Sequence, residues 1–294
     1  MTAVNATLVR TLRDKTGAGV IACKNALVET AGDLEAAIDR LREAELLNAA
    51  KKADRVAVEG LVGVAVEGRR GAIVELNAET DFVARNETFR RAVGALARIA
   101  LGVSGDLEQL LNAAAPDGDG RVSDLISRLS ARTGERIALR RAVVVSAPRG
   151  TVSSYVHNAV APGVGSIGVL VALDSSAPED ALGEIGHALA MHIAAGAPLW
   201  ISRDDVPSSV VAEKRAELGE QARRSGKPAA IVEKMIDGRM RKFYDVVVLG
   251  LQPFVVDPDQ TVAQALQQAE QSVGAPMTVT TFARFKVGEV SGGV

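Results

Sequence analysis

With 294 residues, 47% of them hydrophobic, the chain can bury a substantial core in one large domain or in two to three small ones. A formal net charge of -2 gives no overall basic field, which argues against binding to nucleic acid or to a membrane surface through global charge. Cys23 is the single cysteine, so a disulfide framework is excluded. Residues 1–4 show no secretory pattern and the apolar runs are too short to span a bilayer, so we expect a cytoplasmic protein.

The first 50 residues carry the spacing of three short helices. Val4, Leu8 and Leu12 recur at helical intervals in the first helix. Gly32 is predicted to take the C′ position of the second helix, and Asp33 to cap the third. Three helices in so short a segment share a small core, which usually needs support from a partner or a larger domain.

A basic, alanine-rich segment, 49–55, is interpreted as a linker, and after it the hydrophobic period changes from 3.6 to 2. A strand from Val56 to Val66, a turn and a return strand at 72–76 are predicted before a helix that contains Phe89. Two further helices flank the loop at 116–120. Strands at 136–145, 151–156 and 167–173 then precede a helix over 178–195. This order suggests two related α+β lobes.

Residues 203–243 are highly charged and helical, and Ser225-Gly226-Lys227-Pro228 interrupts them. The pattern predicts two antiparallel helices with a narrow apolar seam, which cannot be buried on all sides. Such a hairpin either projects from the protein or pairs two copies of it. The tail is predicted to return to a strand at 278–287.

An unusual aromatic residue lies at the junction between a predicted strand and the next helix. Aromatic side chains make up only 3% of the chain, yet Phe82 stands between Asp81 and Arg85. The ring either packs locally against Phe89 or is offered to another protein. Asp81 is expected to cap a helix, whereas Arg85 and Asn86 are expected to orient the loop and begin the helix.

Two glycine motifs resemble nucleotide-binding loops without their context. Residues 163–168 match G-x-G-x-x-G, but a strand must precede that motif and a helix must follow it. Here a loop at Pro162 precedes and a strand follows, so a hairpin loop is predicted. Gly226-Lys227 resembles the end of a P-loop, but Pro228 replaces the residue that would hold magnesium, which indicates a turn between helices.

The histidines do not have the spacing of a metal site. His187 and His192 lack the i, i+4 arrangement of a zinc hydrolase and are expected to pack among Ala and Leu on a helix. His157 ends a strand beside Tyr155 and is either structural or a partner contact. Cys23 lies on the apolar face of a short helix and is expected in the core. With no catalytic triad and no metal-ligand cluster, the sequence favours binding over catalysis, without a cofactor.

Five sequence segments together resemble elongation factor Ts, the bacterial and organellar guanine-nucleotide exchange factor for elongation factor Tu. They are 16–19 with 23–24, 79–86, 155–157 with 167–171, 238–243 with 252–255, and 285–289. The octet Glu-Thr-Asp-Phe-Val-Ala-Arg-Asn at 79–86 is highly specific. The resemblance runs nearly from end to end of the chain.

This resemblance implies an α+β fold with antiparallel sheets. An N-terminal three-helix domain like a ubiquitin-associated domain would be followed by two core subdomains, with an antiparallel coiled-coil hairpin inserted in the second. The implied ranges are 1–55 for the N-terminal domain and linker, 56–140 for the first core subdomain, 141–200 with 246–294 for the second, and 201–245 for the hairpin.

The resemblance also implies a site. Thr80, Asp81, Phe82 and Val83 would bind GDP-bound elongation factor Tu, with the ring inserted between helices of its nucleotide domain and Asp81 perturbing the magnesium and phosphate environment. Lys24, Lys51 and His157 would add secondary contacts. No catalytic residue, metal, nucleic acid or membrane is implied, and a homodimer or a two-plus-two complex through the hairpin stays open.

Several positions depart from the family's common pattern. They are Val20-Ile21-Ala22, Asn25, Ala78, Ser166, Val246 and Leu251. The first two alter the expected N-terminal contact, and Ser166 removes a common basic residue after a longer loop at 158–166. Two other functions stay open: a ribosome- or RNA-associated protein that uses scattered basic doublets without exchange activity, and an enzyme that uses the glycine loop.

Overall fold

The computed structural model describes residues 4–16, 18–51 and 55–289, and for residues 45–51 it describes the backbone alone. Its helices and strands form an α+β fold with antiparallel sheets, as predicted. Three helices open the chain: α1 (Ala6–Thr16), α2 (Val20–Glu29) and α3 (Leu34–Lys51). Leu12, Cys23 and Leu27 are completely buried in their shared core, so the prediction for Cys23 is confirmed.

The turn between α2 and α3 differs slightly from the prediction. Gly32 donates its backbone N–H to Leu27 O at 2.8 Å, and Ala31 donates to Val28 O at 3.2 Å, which is the bond pattern of a Schellman motif. Ala31, with a φ of 54°, therefore occupies C′, and Gly32 occupies C″ rather than C′. Asp33 accepts a bond from Ala36 N at 3.1 Å and caps α3 as predicted.

The predicted linker at 49–55 begins too early. Helix α3 continues to Lys51 because its alanine-rich end has high helix propensity, and residues 52–54 lie outside the described part. The strand predicted from Val56 also begins later, at Glu59. Val56 and Val58 precede it and are 73% and 49% exposed.

The strands are β1 (Glu59–Glu67), β2 (Arg70–Ala78), β3 (Ala138–Ser146), β4 (Thr151–His157), β5 (Val164–Gly165), β6 (Ile167–Ser175) and β7 (Met277–Lys286). One antiparallel sheet has the order β3-β2-β1-β5 and the other has the order β4-β6-β7. Gly68, with a φ of 54°, makes the tight turn that pairs Glu67 with Arg70. The domain ranges stay a prediction, and the proposed boundary at 140/141 falls inside β3, which pairs with β2.

Four helices follow β2: α4 (Asp81–Ala84), α5 (Glu87–Gly102), α6 (Leu107–Asn112) and α7 (Val122–Thr133). Helix α5 packs closely on the first sheet. A Cβ on Gly63 would lie 2.7 Å from Val93 O, so only glycine permits this distance between strand and helix. Phe89, Val93 and Leu96 project from α5 into the hydrophobic core between the first sheet and its helices, which we call the first core. All three are at most 1% exposed.

The two sheets enclose a second core between them. Val62, Ile73 and Leu170 meet there, and each is completely buried. Glu75 of β2 is also 0% exposed, and its carboxylate accepts bonds from Arg141 Nε at 2.6 Å and from Gly288 N at 2.9 Å. This carboxylate therefore ties the first sheet to the segment that follows β7.

The second sheet carries α8 (Glu179–Gly196) and α11 (Val262–Val273). Sequence analysis did not predict α11, although Thr261 and Gln264 form a reciprocal capping box at its start, with bonds of 3.3 and 2.7 Å. Between them, α9 (Ser208–Arg223) and α10 (Ala229–Val247) form the predicted antiparallel hairpin. Within the described residues, no helix has both the length and the apolar character needed to cross a membrane.

Candidate partner-binding site

The segment between β2 and α4 is fixed by a carboxylate that is distant in sequence. Glu135 Oε2 accepts bonds from the backbone N–H groups of Glu79 at 3.1 Å and Thr80 at 3.0 Å. Thr80 also donates its hydroxyl to Glu135 Oε1 at 2.6 Å. The turn that leads into α4 is therefore held by three hydrogen bonds from one side chain.

Phe82 and Val83, although adjacent, lie in opposite environments. Phe82 is 79% exposed, whereas Val83 is 8% exposed and joins the first core. The local-packing interpretation of the ring is wrong, because most of the Phe82 side chain is exposed while Phe89 is 1% exposed in the core. Beside Phe82 lies a cavity of about 380 Å³ whose walls include Thr88, Arg132 and Glu135. The Phe82 ring thus projects into solvent from a short helix, and a cavity lies beside it.

Asp81 lies in the first turn of α4 and makes an ion pair with Arg85, with 2.8 Å between Oδ2 and Nη2. Thr80 occupies the N-cap position, so Asp81 is not the cap that sequence analysis offered as an alternative. Exposed pairs of this kind contribute about 0 to 1 kcal/mol, so the carboxylate is readily diverted to another partner. Asn86 caps α5 by accepting a bond from Thr88 N at 2.8 Å, as expected for the start of that helix.

The N-terminal helices present a second exposed surface. Lys24 lies exposed on α2. On the same helix, Ile21 is 77% exposed and Val20 is 51% exposed. A cleft of about 1190 Å³ separates α1 and α2 from α7, and Lys24 lines it. The Lys51 side chain, proposed as a neighbouring contact, lies outside the described residues, as does Gly17 of the N-terminal signature.

The cleft and the cavity beside Phe82 adjoin each other. Both are lined by Thr88, Leu129 and Arg132, so Lys24 and Phe82 border neighbouring cavities on α5 and α7. The exposed ion pair between Arg42 and Asp119, at 2.9 Å, connects α3 to the loop before α7. The structure thus brings the predicted N-terminal contact and the predicted aromatic probe to adjacent surfaces.

His157 lies on the second sheet, which is formed by β4, β6 and β7. It is exposed at the end of β4, and its Nδ1 lies 3.2 Å from the Tyr155 hydroxyl. The expectation that His187 packs among apolar residues is wrong. His187 is exposed on α8, its Nδ1 lies 3.1 Å from Ser154 O, and Tyr155 meets its ring edge-on at 5.7 Å.

His192 is buried as expected, but both of its ring nitrogens make hydrogen bonds. Its Nδ1 accepts a bond from Val255 N at 3.2 Å, so Nε2 carries the proton and donates to Gln252 Oε1 at 2.8 Å. Burial lowers the pKa of His192 from the usual 6.5, against an opposing contribution from the bond to Gln252. The neutral imidazole fixes α8 to the chain after the hairpin.

Neither glycine motif forms a nucleotide site. Gly163 O accepts a bond from Val64 N at 2.7 Å, so the loop lies against β1, and a strand rather than a helix follows it. Gly226, with a φ of 68°, makes the turn between α9 and α10. Among the described residues, no group of His, Cys, Asp and Glu is arranged to hold a metal ion.

Glu135 was missed by sequence analysis. It lies 55 residues from Thr80 in sequence, and only the fold brings the two together.

Of the departures from the family pattern, Val246 is 65% exposed and Leu251 is partly buried in the apolar cluster at the hairpin base. Ser166 accepts a bond from Asn158 Nδ2 at 3.3 Å, within its own loop.

Comparisons with known proteins agree on one family. A sequence model of the family described as elongation factor Ts matches residues 79–289. Elongation factor Ts of Maricaulis maris is 52% identical over 292 residues, which is 98% of this chain and 93% of that protein. The same-named proteins of Paramagnetospirillum magneticum and Rhodospirillum rubrum are each 50% identical, over 98% of this chain and 93% and 94% of their own lengths.

Proposed function

The chain belongs to the elongation factor Ts family, and on that premise we propose that it binds GDP-bound elongation factor Tu and speeds the release of GDP. Membership of the family supports a role as a guanine-nucleotide exchange factor in translation elongation. The exchange makes and breaks no covalent bond in this chain, so it requires no catalytic residue and no cofactor. We place the function in the cytoplasm, where translation elongation occurs.

The exposure of Phe82 is the observation that best supports this mechanism. A ring that is 79% exposed leaves most of its apolar surface in water, which is unfavourable unless a partner covers it. Val83 anchors the same short helix in the core, and Glu135 holds its N-cap residue, Thr80. The ring is therefore offered in a fixed position, and it inserts between helices of the partner's nucleotide domain.

Asp81 acts beside the ring on the partner's magnesium site. GDP is held in such a domain partly by a magnesium ion that bridges protein oxygens and phosphate. Asp81 brings a carboxylate next to that environment, and its exposed pair with Arg85 is weak enough to be exchanged for a new contact. The added negative charge disfavours the phosphate and competes for the cation.

One ring is not sufficient for this work. An acceleration of ~10⁴-fold requires about 5.5 kcal/mol of differential stabilisation, whereas a buried aromatic anchor supplies roughly 2 to 4 kcal/mol. Lys24 on α2, Lys51 and His157 on the second sheet therefore share the contact. Because coupling is reciprocal, GDP must weaken the binding of this chain by the same factor by which the chain weakens GDP.

The RNA-associated alternative has less support. The doublet Arg140-Arg141 is committed to the buried Glu75, at 3.3 and 2.6 Å, and so is not free to bind phosphate. Arg91 likewise pairs with Glu87. We propose that the chain acts without direct contact to nucleic acid or membrane.

The hairpin supplies a separate surface for assembly. Its seam is closed by Leu218, Ile236 and Met240, while Ile231 remains 46% exposed on its outer side. Pairing of two hairpins would give a homodimer or a two-plus-two complex with the partner. Sedimentation of the chain with and without elongation factor Tu distinguishes these assemblies.

The proposal is tested by stopped-flow release of fluorescent GDP from elongation factor Tu. The full chain should raise the release rate by orders of magnitude, in a manner that saturates with its concentration. Binding of the chain to RNA with a steep salt dependence, together with an unchanged rate of GDP release, would favour the alternative instead. Nucleotide bound by the isolated chain would revive an enzyme at the glycine loop.

A further inference from the structure

We propose that Glu135 is a positioning residue for exchange: its carboxylate sets the position from which Phe82 is presented. This inference rests on the proposed function, because it concerns the same aromatic probe. It assigns a role to a residue that lies outside the octet at 79–86 and that does not itself need to touch the partner.

Helix α4 cannot hold its own position. It contains only four residues, Asp81–Ala84, whereas isolated helices shorter than about 12 residues are marginal in water. Its C-terminal half is held from below, because Val83 and Ala84 are 8% and 9% exposed in the first core. Its N-terminal end has no such packing, and Thr80 makes no side-chain cap bond to the helix.

Glu135 supplies the missing constraint. One carboxylate oxygen accepts both the Glu79 and the Thr80 backbone N–H groups, and the other accepts the Thr80 hydroxyl. Hydrogen bonds to an ionised acceptor are roughly twice as strong as bonds between neutral groups. Glu79 and Thr80, which lead into α4, are therefore fixed in direction as well as in place.

Glu135 is itself held by the end of α7. Gly134 ends that helix with a φ of 75°, a left-handed conformation that turns the chain sharply toward α4. Glu135 O then accepts the Ser130 hydroxyl at 2.6 Å, and Glu135 N donates to Thr133 Oγ1 at 3.3 Å. The Glu135 carboxylate thus follows directly after α7, on a backbone that is hydrogen-bonded to that helix.

Its place in the cavity supports the same role. Glu135 and Phe82 both line the cavity of about 380 Å³ between α4 and α7. Without the bonds that hold the N-terminal end of α4, the Phe82 ring would be able to turn into this cavity instead of projecting outward. The carboxylate therefore keeps the ring outside and the cavity open.

The test compares Glu135→Ala and Glu135→Gln with a matched control, Asp124→Ala. Asp124 lies in the first turn of α7, at the opposite end of the helix from Glu135, and its Oδ2 accepts a bond from Arg121 N at 2.7 Å. The control therefore also removes a carboxylate that accepts a backbone N–H, but at the end of α7 away from the octet. Each variant is titrated against elongation factor Tu carrying fluorescent GDP. Hydrogen–deuterium exchange of the free proteins follows the amides of residues 79–84.

Glu135→Ala should lower the maximal release rate by about tenfold or more, because small misplacements of a working group carry large rate penalties. The half-saturating concentration should change less than threefold, since the other contacts are intact. The Glu79 and Thr80 amides should lose protection. Glu135→Gln keeps an acceptor of the same length and should recover most of the rate, while Asp124→Ala should match the wild type at saturation.

A wild-type maximal rate for Glu135→Ala would overturn this inference while leaving the exchange function in place. Equal losses in Glu135→Ala and Asp124→Ala would also overturn it, because they would indicate general destabilisation. If the wild-type chain does not speed the release of GDP from elongation factor Tu, the proposed function fails. The amide exchange of Glu79 and Thr80 then still decides whether Glu135 fixes the turn.

Discussion

The same truncation at two phenylalanines seven positions apart should lower the free energy of unfolding by very different amounts. Phe82 is 79% exposed, so about a fifth of its surface, ~40 Å², is covered, and Phe82→Ala should lower the free energy of unfolding by about 1 kcal/mol. Phe89 is 1% exposed among Val93 and Leu96, so Phe89→Ala should lower it by about 3 to 5 kcal/mol through lost burial and a residual cavity.

The assay is urea unfolding followed by far-ultraviolet circular dichroism, with both variants measured beside the wild type. The midpoint of Phe82→Ala should stay close to that of the wild type, and the midpoint of Phe89→Ala should fall clearly, at similar slopes. Equal losses in the two variants would refute the reasoning, because they would mean that Phe82 is packed within its own chain in solution.

Three further predictions concern the frame around the site. Glu75→Ala should lower the free energy of unfolding by about 3 to 5 kcal/mol, because it removes the buried carboxylate that pairs with Arg141 and accepts a bond from Gly288 N, and Glu75→Gln should cost less; thermal melts check both. Asn86→Ala should lower it by about 1 kcal/mol through loss of the α5 cap, measured in urea. For His192, burial holds the folded-state pKa below the unfolded value of about 6.5, so the folded chain binds fewer protons. Its contribution is complete above pH 6.5 and is lost as the pH falls from there through the folded-state pKa, and His192→Gln should remove that part of the stability slope between pH 7 and 5.

The elements that sequence analysis predicted well have strong local patterns. Helix α5, the hairpin of α9 and α10, and strands β2 and β6 follow from hydrophobic period and turn residues. Predictions near element ends were less accurate. Helix α3 extends into the expected linker because helix propensity continues through its alanines, and β1 begins after Val56 because strand propensity there is not matched by a pairing partner.

The octet at 79–86 could be singled out from sequence, but its geometry could not. The exposure of Phe82 and the burial of Val83 depend on how α4 sits on the first core, which no local pattern encodes. Glu135 was invisible for the same reason, since a half-buried glutamate after a helix resembles an ordinary surface residue. His187 was mistaken for a packed residue because α8 is rich in small apolar side chains, yet its ring faces β4 at the surface.

The central claim is that the aromatic ring at position 82 opens the nucleotide site of another protein. The most direct measurement is the maximal rate of fluorescent GDP release from elongation factor Tu with saturating Phe82→Ala, against the wild-type chain. We expect a loss of roughly 30-fold or more, corresponding to at least about 2 kcal/mol, in a variant that remains folded. An unchanged maximal rate would contradict it and would remove Phe82 from the mechanism.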